Sequence, residues 1–236
     1  MRGDVKAIRA HGIVGRMGEE IALFPLASIV LFPRVRTPLH IFEPRYRQMA
    51  EHALAGERSI GMVAVPPEHV EAMAGDPPVY AVGCAGVISL AQRLPDGRFH
   101  IMLDGAFRFR ILEELPRPEG RLYRVARVER LEDPYPAAEI ERVEELRRRI
   151  LGLVRSLLEV ADRERAREIT PELFRGMDDE ALVNTLSNAL ALGTPERQGL
   201  LEAASVPARF ERLEGLLAFR RAELGLPGLR GSGRLH

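Results

Sequence analysis

Leu23-Phe24-Pro25-Leu26, Val30-Leu31-Phe32-Pro33 and Pro38-Leu39-His40-Ile41-Phe42-Glu43-Pro44-Arg45-Tyr46 follow one another near the start of the 236-residue chain. Residues 21–32 are the longest apolar run, and Pro25 and Ser28 interrupt it. The run is well short of the roughly 20 residues that a membrane helix needs. Leu39, Ile41 and Phe42 read as core-filling residues. Pro44 suits a first helical position, and nothing breaks the helix before Gly56. Glu43 ahead of it is favoured by the helix dipole without any ligand.

Outward from this block the texture stays strand-like to about residue 133. Residues 60–65 are short and apolar. Residues 79–94 form a long run containing Gly83 and Gly86, which predicts a bent or bulged strand in a small barrel. Pro95-Asp96-Gly97 marks a turn. Phe99, Ile101 and Leu103 then alternate with Arg98, His100 and Met102, the period of a half-buried strand. Gly105 is expected to punctuate before Phe107, Phe109 and Ile111, which alternate with Arg108 and Arg110. A last strand is expected within residues 123–131. The boundary is placed at Asp133-Pro134-Tyr135-Pro136.

Beyond that boundary Leu146, Ile150, Leu153, Leu157 and Val160 repeat at amphipathic-helix spacing, and Leu151, Val154 and Leu158 widen the stripe. Thr170-Pro171-Glu172, Asp178-Asp179-Glu180 and Thr194-Pro195-Glu196 look like helix starts. Phe210, Leu213 and Leu217 mark a final helix. The expected organisation is α+β: an N-terminal extension over residues 1–19, a strand-rich part with one helix over 20–133, a helical bundle over 137–225, and a disordered glycine-rich tail over 226–236.

Composition narrows the chemistry. The 34 basic and 34 acidic residues cancel, and they cancel within each half, so bulk attraction to nucleic acid or to an anionic membrane is not expected. Lys6 is the only lysine, and no phosphate-binding Gly-Lys-[Ser/Thr] loop can be written. A Ser-Lys dyad would have to use Lys6 from a polar extension, where desolvation could not lower its pKa. Cys84 is the sole cysteine, in an apolar setting without a basic neighbour, and reads as structural. The six histidines give no metal-binding pair at helical spacing, and Glu68-His69-Val70-Glu71 reads as a solvated loop. No metal or cofactor is expected. Phe107-Arg108-Phe109-Arg110 could suggest a base-stacking platform, but period 2 places the aromatics on one face and the arginines on the other. Arg142, Arg147, Arg148 and Arg149 among glutamates read as a solvated helix face. The polar first twenty residues lack a signal-peptide core, and the expected location is the cytoplasm.

The opening block, with Ile60-Gly61-Met62-Val63, residues 82–88, Leu94-Pro95-Asp96-Gly97-Arg98, Arg108-Phe109-Arg110-Ile111 and residues 123–129 in the same order, resembles the Lon protease N-terminal domain. The resemblance covers about residues 20–225. It implies a PUA-like β-barrel followed by helices, and a stand-alone substrate-binding module without ATPase or protease machinery. The implied partner is unfolded or partly unfolded polypeptide. An adaptor role, a separate Lon-type protease as partner and a homodimer stay open. The residues placed at a peptide-binding groove are Phe42, Glu43, Arg45, Tyr46 and Arg47, with Tyr46 expected at the surface. Two other readings remain: an RNA-binding module on a PUA-like fold, and an enzyme whose site is hidden from sequence spacing.

Overall fold

Alternation of apolar and polar residues builds strands in the first half, while the 3–4 spacing beyond residue 137 builds helices. The computed structural model describes residues 18–161, 166–167 and 170–226. Residues 1–17 of the expected extension, with Lys6 and His11, and residues 227–236 of the expected tail, with His236, lie outside the described residues. Strands β1 (Glu19–Leu26), β2 (Arg36–Ile41), β3 (Ser59–Ala64), β4 (Val82–Arg93), β5 (Phe99–Glu114) and β6 (Val125–Leu131) form one sheet, ordered β2-β5-β4-β3-β1-β6. β6 also pairs with the far half of β5, from Arg108 to Glu114, and so closes five strands into a small barrel. β2 lies outside that closure, antiparallel to the near half of β5 from Phe99 to Asp104. Among the described strands only β1 and β3 run parallel. Their crossover carries β2 and helix α1 (Pro44–Ala55), as a parallel pair requires a long connection.

Ile21, Leu23, Val63, Ala85, Phe109, Ala126 and Val128 make one small buried cluster. Their strand neighbours, such as Phe24 and Met62, belong to a larger core that continues into the helices. Phe109 sets the size of the small cluster. A Cβ at Gly83 would stand 2.6 Å from its ring, and one at Gly61 3.0 Å. Gly83 of the bent strand β4 and Gly61 of β3 therefore make room for one aromatic ring.

β5 does not break at Gly105. It continues for 16 residues, and the glycine accommodates the loop after Phe32, because a Cβ there would collide with the Phe32 carbonyl oxygen. Arg34 N–H donates to Gly105 O at 2.7 Å, and Gly105 N–H donates to Val35 O at 2.8 Å. Opposite β4 the register skips Ala106, with Gly86 facing Gly105 and Ala85 facing Phe107. This bulge exchanges the two faces. Leu103 belongs to the larger core and Phe109 to the small cluster. Arg108 is consequently buried at 2% exposure, not set on an open face.

The helical part comprises α2 (Ile140–Ala161), α3 (Asp179–Ala189), α4 (Thr194–Leu201) and α5 (Val206–Glu223). Leu146, Ile150 and Leu153 are buried as their spacing predicts, whereas Val160 is exposed near the end of the helix. Asp178 caps α3 by accepting from Ala181 N–H at 2.8 Å, and Ser205 caps α5 by accepting from Ala208 N–H at 3.1 Å. Thr170-Pro171-Glu172 opens only a 3₁₀ turn, Pro171–Phe174. Thr194 is not a cap. Its hydroxyl donates across to Ala27 O at 3.1 Å, while Gly193 N–H donates to Glu196 at 2.6 Å. Arg147 leaves the expected solvated face, donating to Asp179 and to the carbonyls of Met177 and Phe174.

A buried ionic seam joins strands to helices. Asp133 accepts from Arg108 Nε at 2.8 Å and from Arg209 Nη2 at 2.6 Å. Arg108 also donates to the carbonyls of Leu201, Ala203 and Glu132. Arg209, fully buried, donates to Leu200 O and Asn184 Oδ1, and Asn184 Nδ2 donates to Pro33 O. Every guanidinium nitrogen of both arginines therefore has an acceptor, the condition for tolerating buried charge.

Candidate functional site

The five residues that sequence reasoning grouped at the start of α1 go to separate places. Phe42 is 57% exposed at the end of β2. Glu43 and Arg45 pair with each other, Arg45 Nε to Glu43 Oε2 at 2.9 Å, and Arg45 also donates to the carbonyls of Met73 and Gly75. Arg45 thus holds the 3₁₀ segment Pro67–Ala74, which occupies the expected Glu68–Glu71 loop, against the helix. Tyr46 is buried, contrary to its expected surface position, with its ring centroid 4.6 Å from that of Phe24. Burial pushes its hydroxyl pKa up, with Arg45 acting in the opposite direction. Arg47 lies over Gly97 in the Pro95-Asp96-Gly97 turn.

A cleft of about 400 Å³ opens beside Glu43 and Arg45, completed by Gly75, Asp76, Arg117 and Leu122. Its charges are paired internally, Arg45 with Glu43 and Arg117 with Asp76. No net charge is left there to select an ionic ligand.

The larger feature is the outer face of β2, β5 and β4. β2 is an edge strand, paired on one side alone. Its outward residues Arg36, Pro38 and His40 are exposed while Thr37, Leu39 and Ile41 are buried. Across the register Pro38 stands opposite Met102, which stands opposite Leu90; His40 stands opposite His100, which stands opposite Gln92. Leu90 is 64% exposed. Phe42 continues the row beyond Ile41, its ring 5.7 Å from that of His40. The face is therefore an apolar and aromatic strip along a strand whose outer edge is unpaired. Ion pairs bound it, Arg36 with Asp104 at 3.0 Å and Arg93 with Glu51 at 3.1 Å. The hydrogen bond from Arg36 holds the Asp104 carboxyl below its usual range. Sequence reasoning found only Phe42 of this strip. The available signal was the alternation of Pro38, His40 and Phe42, whose outward members are unusually apolar for a solvated face.

Burial pushes the Cys84 thiol pKa well up, which disfavours the thiolate form a nucleophile needs. Among the described residues no three histidines, cysteines or acids gather as a metal site, and no helix is long and apolar enough to cross a membrane. The fold is that of a small β-barrel domain with attached helices.

Comparison with known proteins gives that class a family. The profile of the ATP-dependent protease La (LON) substrate-binding domain matches residues 20–218, and the chain belongs to that family. It is 29% identical over 204 residues to the Lon protease of Heliobacterium modesticaldum, covering 85% of this chain and 24% of that protein. It is 27% identical over 207 residues to the Lon protease of Trichlorobacter lovleyi, covering 86% and 24%. The chain thus spans about a quarter of the length of these curated relatives. The N-terminal domain of Mycobacterium avium complex Lon protease superimposes with a TM-score of 0.64 at 18% identity, over 85% of this chain and 98% of that one. The Lon N-terminal domain protein from Xanthomonas campestris gives 0.55 at 24% identity, over 89% and 99%. Both share the fold.

Proposed function

We propose that this chain is a non-catalytic cytoplasmic module that binds extended, apolar segments of unfolded polypeptide on the outer face of β2, β5 and β4. The observation that carries this reading is the strip of exposed Leu90, Pro38 and Phe42 with half-buried Met102 between them, beside an unpaired strand edge, in a member of a substrate-binding family. An extended segment laid along β2 can pair with its free backbone and place alternate side chains on the strip. Pro38 offers no N–H, which interrupts the edge and discourages permanent sheet extension. Recognition then leans on side chains and tolerates many sequences. Each site binds weakly because the segment is ordered on docking, and a homodimer would recover affinity through avidity. A Lon-type protease is the natural recipient of the bound polypeptide.

The two other readings gain no such support. Arg108 is buried, and Phe107 is partly buried with the Arg130 guanidinium 4.5 Å from its ring centroid, so no open base-stacking platform forms. The test is anisotropy with a labelled, permanently unfolded protein. Leu90→Ser and Phe42→Ser should each remove about 1 kcal/mol of apolar burial, a roughly fivefold loss of affinity. Unchanged binding by both variants, or binding of labelled RNA with a steep salt slope, would overturn the proposal.

A further inference from the structure

We propose that His40 and His100 form a two-imidazole chelate for a divalent transition cation of the copper, nickel and zinc class. The site lies on the outer face, but the inference does not depend on polypeptide binding there. His40 on β2 and His100 on β5 are direct cross-strand partners, so their side chains leave the sheet on the same face. Both are exposed. Their ring centroids are 4.9 Å apart with planes inclined at 66°. Among the described residues neither ring has a hydrogen-bond or ion-pair partner, so each keeps a nitrogen to offer.

The separation suits one shared metal. With metal–nitrogen bonds of about 2.1 Å and a ring centroid ~1.1 Å behind each nitrogen, two rings 4.9 Å apart subtend about 100° at the metal. That angle lies between the tetrahedral and square-planar values that imidazole-bound metals adopt. The rings stand edge to face, and both side chains are exposed, so aiming the two nitrogens at one metal calls for rotation about their torsions. Two protein ligands make an open site, with water filling the other positions, and imidazole donors follow the order copper above nickel and zinc. The consequence is structural. The metal would tie the edge strand β2 to β5 within the apolar strip, between Pro38 and Phe42.

The probe is the metal alone, titrated into the full chain by calorimetry as NiCl₂ and as ZnCl₂. We expect one equivalent to bind, and we expect Zn²⁺ to raise the Tm, because a ligand specific to the native state stabilises it by mass action. His40→Ala and His100→Ala should each weaken that binding about tenfold or more and abolish the Tm shift. His69→Ala should leave both unchanged. His40→Asn, with circular dichroism confirming the fold, serves if the alanine variant is unstable. With Cu²⁺, two-nitrogen hyperfine structure should appear for the wild type and be lost in either variant. Equal affinity in the His40→Ala/His100→Ala double variant, or loss of binding in His69→Ala, would overturn the proposal.

Discussion

Replacing Asp133 by asparagine removes one negative charge that two buried cations share. Its carboxylate accepts from Arg108 at 2.8 Å and Arg209 at 2.6 Å, and those side chains are 2% and 0% exposed. Each hydrogen bond to a charged group is worth about 1.5–3 kcal/mol, so losing both costs roughly 3–6 kcal/mol. Breaking a buried ion pair from one side costs about 3–5 kcal/mol by independent measure. Asparagine keeps one acceptor oxygen, which puts the expected loss near the lower figure, about 3 kcal/mol. With a urea slope of about 2–3 kcal/mol/M, the midpoint should fall by roughly 1–1.5 M. The shift should be nearly the same at about 0.05 M and about 0.5 M salt, because a buried pair is poorly screened. Glu211→Gln is the contrasting control. It breaks the exposed Arg142–Glu211 pair, and should cost under about 1 kcal/mol and less still at high salt. A loss below about 1 kcal/mol for Asp133→Asn would refute the idea that this carboxylate compensates the two arginines.

Three further outcomes are expected. Gly83→Val should destabilise by about 1–3 kcal/mol in the same urea assay, since a Cβ at that position meets Met62 O at 2.6 Å and the Phe109 ring at 2.6 Å. Cys84, fully buried with its thiol pKa pushed up by burial, should resist a disulfide reagent at about pH 8 until the chain unfolds, with labelling followed by absorbance. Glu180 has its carboxyl pKa raised by burial, reinforced by Asp133, so ionising it opposes folding. Its unfavourable contribution sets in as pH rises from the unfolded value of about 4.3 through the raised folded value. Glu180→Gln should therefore gain stability relative to wild type between about pH 4 and pH 7, read as the change in urea midpoint.

Local chemistry announced much of the fold. The Pro95-Asp96-Gly97 turn, the cap at Asp178, the strands around residues 60, 85, 100 and 128, and the switch to helices after residue 137 all follow from short-range patterns. What sequence spacing could not reveal depends on distant contacts. Gly105 looks like a breaker until the Phe32 carbonyl lies against it. Arg108 looks solvent-facing until the skipped Ala106 turns it toward the helices and Asp133 accepts it. Arg147 belongs to a charged run by composition, but Asp179, Met177 and Phe174 draw it inward. The candidate site was less legible still. Tyr46 and Phe42 are both aromatic neighbours of Glu43, and only the packing of Phe24 against Tyr46 separates core from surface. His40 and His100 are 60 residues apart, and the pairing of β2 with β5 alone brings them together.

The seam also has a consequence in time. A ribosome releases the chain from its N-terminal end, and β1 must wait for β6, its antiparallel partner, before the barrel can close. Asp133 follows at once, yet the second cation that shares it sits 76 residues later at Arg209. At about 5–20 residues per second, that interval lasts roughly 4–15 s. Throughout it Arg108 has only Asp133 and the Glu132 carbonyl to donate to, with the Leu201 and Ala203 carbonyls not yet made. At that carboxylate the nascent barrel lacks one of the two cations of the finished protein, and the arrival of α5 marks the moment at which the seam becomes electrically whole.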